Sequence, residues 1–339
     1  MLFAHILTFA DLLKFAGIFA SSALIALLTT RVLIGQFAKW QIIASANERS
    51  MHETPVPVGG GWAIIPLALT AWIVFFWPVK DALTWTVVAA TFVLASLSWI
   101  DDRQHLPQIA RLTVQALAIT LVLILLPDNK TVFANGWPLW ADRILTGLCW
   151  LWFINLFNFM DGIDGLAGIE ILFICSGIVI IGLAIGFELP VLYGVTVLAG
   201  ATAGFLWWNW HPAKIFLGDV GSISIGFLLG WLLIQLAMEG YLVAALLLPG
   251  YFVADASVTI LKRAFKGDPF WEPHKTHYYQ RATSGLDNNH SQALWKIIPA
   301  NFVLLLLAIA SIWHPMISAA CGVLALVSLL FILERHARK

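Results

Sequence analysis

The stretch that decides the fold is residues 143–160, RILTGLCWLWFINLFNFM, followed at once by DGIDGLAG at 161–168. The first part is almost entirely apolar, and a helix of about 20 apolar residues spans the hydrocarbon core of a bilayer. An extended strand would leave backbone groups unpaired in lipid. We therefore predict that residues 143–160 form a transmembrane helix whose end carries an unusual polar run.

The rest of the chain has the same character. Of its 339 residues, 60% are hydrophobic and only 11% are charged, whereas a soluble domain carries about 25% charged residues. Further apolar stretches lie at 12–33, 59–78, 82–100, 108–126, 166–186, 189–208, 221–238, 241–262, 295–313 and 316–333. The sequence predicts one all-α integral-membrane domain over 1–339, a polytopic bundle of about 11 transmembrane helices, with the first stretch retained as a span.

The basic residues predict how this bundle is oriented. Of the 19 Lys and Arg residues, 15 fall on the side of the C-terminus, and the other side holds only Lys14, Lys80, Lys130 and Arg143. Positively charged loops stay in the cytoplasm, so we predict an outer N-terminus and a cytoplasmic C-terminus. Most polar clusters lie in the predicted cytoplasmic loops, at 34–58, 101–107, 161–165, 209–220 and 263–294.

Charge and cysteine content exclude some functions. The formal net charge is zero, which gives no electrostatic reason to expect a nucleic-acid partner. Cys149, Cys175 and Cys321 lie in apolar stretches without CxxC spacing, so the sequence indicates neither a disulfide framework nor a thiolate metal site.

Adjacent carboxylates, Asp101 and Asp102, end the third predicted span. Two neighbouring carboxylates repel each other unless a cation lies with them, and Mg²⁺ is held by one or two carboxylates together with substrate phosphates. A solvated helix end explains this pair equally well, so alone it leaves both interpretations open.

A second polar run follows the stretch quoted first. Asn155, Asn158 and Asp161 are three residues apart, which places them on one stripe of a helix. Gly162 and Gly165 flank Asp164 and end the predicted helix. Polar groups in a membrane span cost several kcal/mol unless they are paired or reach water, so this run favours a functional site.

The third run is KIFLGDVGS at 214–222. Its glycines around Asp219, with Ser222 as the predicted N-cap, would place free backbone N–H groups beside a carboxylate. Together with Lys214 this pattern suits a phosphate bridged by a metal. A capped helix entrance would explain Ser222 but not Asp219 and Lys214 together.

The last inner loop is basic, and it contains His274 and His277 at an i, i+3 spacing. This HxxH is a weak zinc signal because zinc needs three or four nitrogen or sulfur ligands, so anion recognition is the better interpretation. Asp255 lies inside the ninth predicted span, and an intramembrane acid is by default a functional candidate. We predict a supporting or substrate role for it ahead of simple helix pairing.

Taken in order, these runs resemble the polyprenyl-phosphate N-acetylhexosamine-1-phosphate transferases, a branch of glycosyltransferase family four. The resemblance covers most of the chain. The motifs that carry it are HETPVPVGG at 52–60, DDR at 101–103, NLFNFMDGIDGL at 155–166, FLGDVGS at 216–222, Asp255 and HKTHYYQR at 274–281.

The resemblance implies transfer of a sugar 1-phosphate from a UDP-N-acetylhexosamine to undecaprenyl phosphate, with release of UMP, in the bacterial inner membrane. It also implies a cytoplasmic site that uses Mg²⁺, with Mn²⁺ as an alternative, and a homodimer is compatible with it. The resemblance implies four catalytic residues, which are Asp101, Asp102, Asp161 and Asp164. It implies two metal ligands, Asp219 and Asn158. The substrate-binding residues that it implies are Asn155, Lys214, Phe216, His52, His274, His277, Arg281 and Asp255. Phe216 would stack on the uracil.

One departure from the family separates its branches. The peptidoglycan branch carries three consecutive histidines where this chain has His274-Lys-Thr-His277, which favours the branch that initiates O-antigen or common antigen. A secondary transporter or lipid flippase is the alternative. Transporters bind substrate near the bilayer midplane between repeated halves, whereas these polar clusters crowd one face.

Overall fold

The computed structural model describes residues 8–43, 56–77, 81–104, 106–133, 136–269 and 274–337. Apart from isolated β-bridges that pair Ile43 with Pro57 and Val58 with Phe216, the described residues form helices and loops. The helices are α1 (Phe9–Lys39), α2 (Gly61–Phe76), α3 (Ala82–Gln104), α4 (Gln108–Ile124), α5 (Leu139–Met160), α6 (Leu166–Ile185), α7 (Leu189–Asn209), α8 (Gly218–Met238), α9 (Leu242–Leu247), α10 (Gly250–Lys266), α11 (Tyr278–Ser284), α12 (His290–Ala310) and α13 (Pro315–Ala337).

Among the described helices, eight are long and apolar enough to cross a membrane, and α2 and α4 are shorter apolar helices. The predicted all-helical, polytopic membrane fold is therefore confirmed. Exposed apolar side chains cover the outer helices, including Leu24 and Leu28 on α1 and Leu324 on α13, as expected for surfaces that face lipid.

Helix α8 forms the centre of the bundle. It is almost wholly buried and packs against α2, α3, α5 and α6. Close approach depends on glycine: a Cβ at Gly230 would lie 2.4 Å from the Trp150 ring of α5, and a Cβ at Gly61 would lie 2.3 Å from the Gly221 backbone nitrogen of α8. The starts of α2 and α8 therefore lie against each other without intervening side chains.

The prediction of one span over 241–262 is wrong. The chain forms the short helix α9 and then α10, with Leu248 and Pro249 between them. Proline lacks an N–H and its ring clashes with the preceding turn, so the helix is interrupted at Pro249. As a result α10 begins inside the bundle.

Several predicted loop boundaries also shift. Helix α1 continues through Lys39, α3 continues through Gln104, α8 begins at Gly218, and the 263–294 loop contains α11 and the start of α12. Asp101 and Asp102 thus belong to the last turn of α3. The predicted N-cap role of Ser222 is wrong as well, because Leu217 occupies that position and Ser222 lies inside α8.

Candidate active site

Four helix ends meet at one end of the bundle and bring most of the predicted site residues together. The end of α3 supplies Asp101 and Asp102, the start of α4 supplies Arg111, and the start of α8 supplies Asp219. The end of α5 leads into Asp161. Residues far apart in the sequence therefore share one polar region.

Arg111 links two of the carboxylates. Its Nη1 donates to Asp101 Oδ2 at 2.9 Å and lies 3.9 Å from Asp219 Oδ2. Asp101 Oδ1 also accepts from the Leu106 backbone N–H at 2.7 Å, and the Asp101 side chain is only 6% exposed. Asp101 is thus held by fixed donors, while the Asp219 side chain is 27% exposed. Sequence reasoning missed Arg111, because nothing in the surrounding residues distinguishes it from other arginines beside loops.

The two asparagines of α5 have different surroundings. Asn158 Oδ1 accepts from Ser222 Oγ at 2.9 Å, and Ser222 lies three residues after Asp219, on the same face of α8. Asn155 Nδ2 instead donates to Gln115 Oε1 and to the Leu151 carbonyl, both at 2.8 Å. Asn158 is therefore held on the face of α8 that carries Asp219, and Asn155 links α5 to α4 by a hydrogen bond.

The region carries excess negative charge. Burial, then the charges of Asp219 and Asp164, raise the pKa of Asp161 from 3.8 to about 7. Asp102 is half-buried and interacts electrostatically with Asp219 and Asp101. Carboxylates crowded in this way favour either a proton or a bound cation.

Asp164 is buried and lies in a cluster with two histidines. Its Oδ2 lies 2.6 Å from His211 Nδ1 and 3.2 Å from His290 Nδ1, and it accepts from the Ala213 N–H at 3.1 Å. The three side chains could ligate a metal ion, but a 2.6 Å contact is a hydrogen-bond distance. This cluster joins the loop after α5 to the loop before α8 and to α12. Sequence reasoning missed both histidines.

The chain before α2 and the loop before α8 pair through their backbones. Phe216 N–H donates to the Pro57 carbonyl at 2.9 Å, and the Phe216 carbonyl accepts from Gly59 and Gly60. These bonds fix the half-buried Phe216 beside Asp219. Lys214 is exposed, with Nζ 5.2 Å from the centroid of the Trp208 ring. His52 lies outside the described residues.

Asp255 is fully buried and organises the start of α11. Its carboxylate accepts from the backbone N–H groups of Tyr278 and Tyr279 at 2.9 and 3.0 Å. It also accepts from Tyr251 Oη at 3.2 Å and Thr259 Oγ1 at 3.3 Å. Free N–H groups at a helix start need such partners, so Asp255 caps α11 from a different helix. This agrees with a supporting role.

Tyr279 connects α11 to the end of α5. Tyr279 Oη donates to the Phe159 carbonyl at 3.0 Å. A Cβ at Gly162 would lie 2.0 Å from Tyr279 Oη. Gly162 is therefore needed for the close approach of Tyr279, which the sequence did not reveal.

The basic residues of the last loop divide into two groups. The rings of His274 and His277 lie 4.9 Å apart, and His277 Nδ1 is 3.4 Å from Asp255 Oδ1. Arg281 instead pairs with Glu334 of α13 at 2.5 Å. The structure therefore brings the histidines together beside α11 and directs Arg281 toward the C-terminal helix.

Asp255→Ala is expected to lower the free energy of unfolding by about 3 kcal/mol, because it leaves buried N–H and hydroxyl groups without an acceptor. Thermal unfolding of the purified protein would show this as a lower melting temperature. The control is Asp268→Ala, which removes an exposed carboxylate. Equal melting temperatures for the two variants would contradict the capping role.

A membrane bundle with converging carboxylates, one paired arginine and a fixed aromatic ring has the features of a phosphate-transferring membrane enzyme. Residues 84–237 match the family model described as glycosyl transferase family 4. The chain is 32% identical over 238 residues to a phospho-N-acetylmuramoyl-pentapeptide-transferase of Chlamydia pneumoniae, covering 62% of this chain and 67% of that protein. It is 26% identical over 313 residues to a probable undecaprenyl-phosphate N-acetylglucosaminyl 1-phosphate transferase of Bacillus subtilis (strain 168), covering 87% and 85%.

The chain therefore belongs to the polyprenyl-phosphate hexosamine-1-phosphate transferase family. It is a membrane-integral bacterial transferase that moves a sugar phosphate onto a polyprenyl phosphate. The chain is similar both to a phospho-N-acetylmuramoyl-pentapeptide-transferase and to a probable undecaprenyl-phosphate N-acetylglucosaminyl 1-phosphate transferase. Its assignment to the O-antigen or common-antigen branch therefore stays a prediction.

Proposed function

We propose that this protein transfers N-acetylhexosamine 1-phosphate from a UDP-sugar to undecaprenyl phosphate at the cytoplasmic face of the inner membrane, and so initiates an O-antigen or a similar surface polysaccharide. The observation that carries the proposal is the convergence of Asp102 and Asp161 on Asp219, which itself lies 3.9 Å from Arg111. Phosphoryl transfer depends mainly on positioning and charge neutralisation, which is what this set of residues can supply.

The donor set fits a hard divalent cation. Asp219 and Asn158 would hold Mg²⁺, or Mn²⁺, through oxygen ligands, and the surplus of carboxylates over the single Arg111 favours positive charge there. When bound, the cation would neutralise the diphosphate. The Ser222 hydroxyl fixes the Asn158 amide, so this chain's own residues orient the ligand.

The lipid acceptor would lie along α4 and α5. A groove of about 330 Å³ runs between these helices toward Arg143. The lining residue nearest to Arg111 along α4 is Ala116, five residues away, or about 7.5 Å of helix. The lining is mainly apolar, and its Ile144 and Leu148 side chains are exposed. A phosphate near Arg111 would therefore leave its prenyl chain in this groove.

The chemistry then needs little help from a base. A phosphate monoester has a second pKa of about 6, so the lipid phosphate oxygen is largely ionised at neutral pH. It attacks the phosphorus that carries the sugar, the bond between that phosphorus and the bridging oxygen breaks, and UMP leaves with that oxygen and the electron pair. Asp101, held by Arg111 and Leu106, is better suited to positioning than to proton removal, and Asp164 supports the loop.

A panel of UDP-sugars incubated with undecaprenyl phosphate and Mg²⁺ in purified membranes tests the proposal and identifies the donor. We expect UMP release with one UDP-N-acetylhexosamine and none after chelation of the metal. UMP release that does not require the lipid phosphate would contradict the proposal. Translocation of labelled lipid without UMP would support the flippase alternative.

A further inference from the structure

A polar pair, Glu170 and Asn301, lies inside the bundle and takes no part in the candidate active site described above. Glu170 of α6 is fully buried, Asn301 of α12 is 3% exposed, and Asn301 Nδ2 donates to Glu170 Oε2 at 2.5 Å. Within the described part of the chain, Glu170 Oε1 and Asn301 Oδ1 are buried without a hydrogen-bond partner. Polar groups at such depth are expensive, which points to a purpose beyond filling space.

This pair lies against the interrupted helix. The backbone N–H of Phe252, in the first turn of α10, interacts with the Glu170 carboxylate. The first N–H groups of a helix lack intrahelical partners and carry partial positive charge. Because α10 starts inside the bundle after Pro249, water is not at hand to satisfy them. Helix α12 packs against the same start, because a Cβ at Gly250 would lie 3.5 Å from the side chain of Leu304, three residues after Asn301. The fully buried Phe252 ring packs 5.2 Å from the Phe157 ring.

The same helix carries Asp255, three residues after Phe252 and therefore on the same face. Asp255 holds the N–H groups of Tyr278 and Tyr279, and Tyr279 Oη reaches the Phe159 carbonyl beside the candidate active site. A continuous set of contacts thus runs from Asn301 through Glu170 and α10 to α11. A shift of the α10 start would move the anchor of α11.

We propose that Glu170 and Asn301 are positioning residues, which fix the start of α10 and through it hold α11 and the neighbouring His277 against the site. The consequence for transfer rests on the proposed function, whereas the consequence for the order of α11 does not. Glutamine at position 170 retains a carbonyl acceptor for Asn301 Nδ2, whereas methionine fills similar space without one.

Hydrogen exchange of the full-length protein in nanodiscs tests the proposal. In Glu170→Met the amides of residues 278–284 should exchange about tenfold faster than in the wild type, because loss of the buried hydrogen bond loosens the segment that depends on it. Glu170→Gln should stay within about threefold. Asn301→Leu is the second variant and should resemble Glu170→Met. The matched control is Thr202→Val, which removes a buried hydroxyl bonded only to its own helix.

Unchanged exchange at residues 278–284 in both Glu170→Met and Asn301→Leu would overturn the proposal, and so would an equal increase in Thr202→Val. Transfer activity should fall about tenfold in Glu170→Met and recover in Glu170→Gln. If the wild type showed no transfer, the proposed function would fail while the exchange result still decided the role of the pair.

Discussion

Asp219→Asn is expected to reduce sugar-phosphate transfer about 10³-fold, the upper range for removal of one electrostatic group in a catalytic site. Asp219 lies in the first turn of α8, 3.9 Å from Arg111 Nη1, and its charge reaches Asp161 and Asp102. An amide keeps the size of the side chain but removes the charge that a divalent cation requires. Initial rates of UMP release at saturating Mg²⁺ measure the effect.

The control for this variant is Asp287→Asn, the same change at an exposed position outside the site. Asp287 has a positive φ of 54°, which asparagine adopts readily, so the control should fold and react normally. Both variants should insert and elute as the wild type does. Near-normal, Mg²⁺-dependent UMP release by Asp219→Asn would remove Asp219 from the metal site.

Asp102→Asn is expected to lower the transfer rate about 10²-fold. Asp102 occupies the last turn of α3, half-buried, and interacts electrostatically with Asp219 and Asp101. Its position beside the carboxylate that would bind metal places its charge near the transferring phosphate. Single-turnover measurements with preloaded undecaprenyl phosphate would separate this loss from slower binding.

Asp268→Asn serves as the control for Asp102→Asn, because Asp268 is an exposed acid whose carboxylate lies 3.9 Å from Arg263. It should retain the wild-type rate. A rate within a few-fold of wild type for Asp102→Asn would assign Asp102 a structural role at the end of α3 instead.

Much of the fold follows from residue patterns because each membrane helix must satisfy its own backbone. The apolar stretch at 143–160 is part of α5, and the three-residue spacing places Asn155, Asn158 and Asp161 at one end of that helix as predicted. The interruption before α10 was missed, although Pro249 signalled it. Apolar composition continues through the break, so hydropathy alone joins α9 and α10.

The site was harder to predict where contacts cross between helices. The polar runs correctly marked the ends of α3, α5 and α8, but nothing local distinguishes Arg111 from any other loop-flanking arginine. The capping of α11 by Asp255 and the pairing of Arg281 with Glu334 depend on packing between distant segments. Sequence spacing shows which residues share a helix face, and it does not show which face of another helix they meet.

The most direct test of the central claim is the stoichiometry of the reaction in proteoliposomes that contain only this protein and undecaprenyl phosphate. With Mg²⁺ and the preferred UDP-N-acetylhexosamine, we predict one UMP released for each undecaprenyl-diphosphate-sugar formed, and about 10³-fold slower formation of both products with Asp219→Asn. Sugar transfer that releases UDP, or UMP release without a lipid diphosphate product, would contradict transfer of a sugar 1-phosphate.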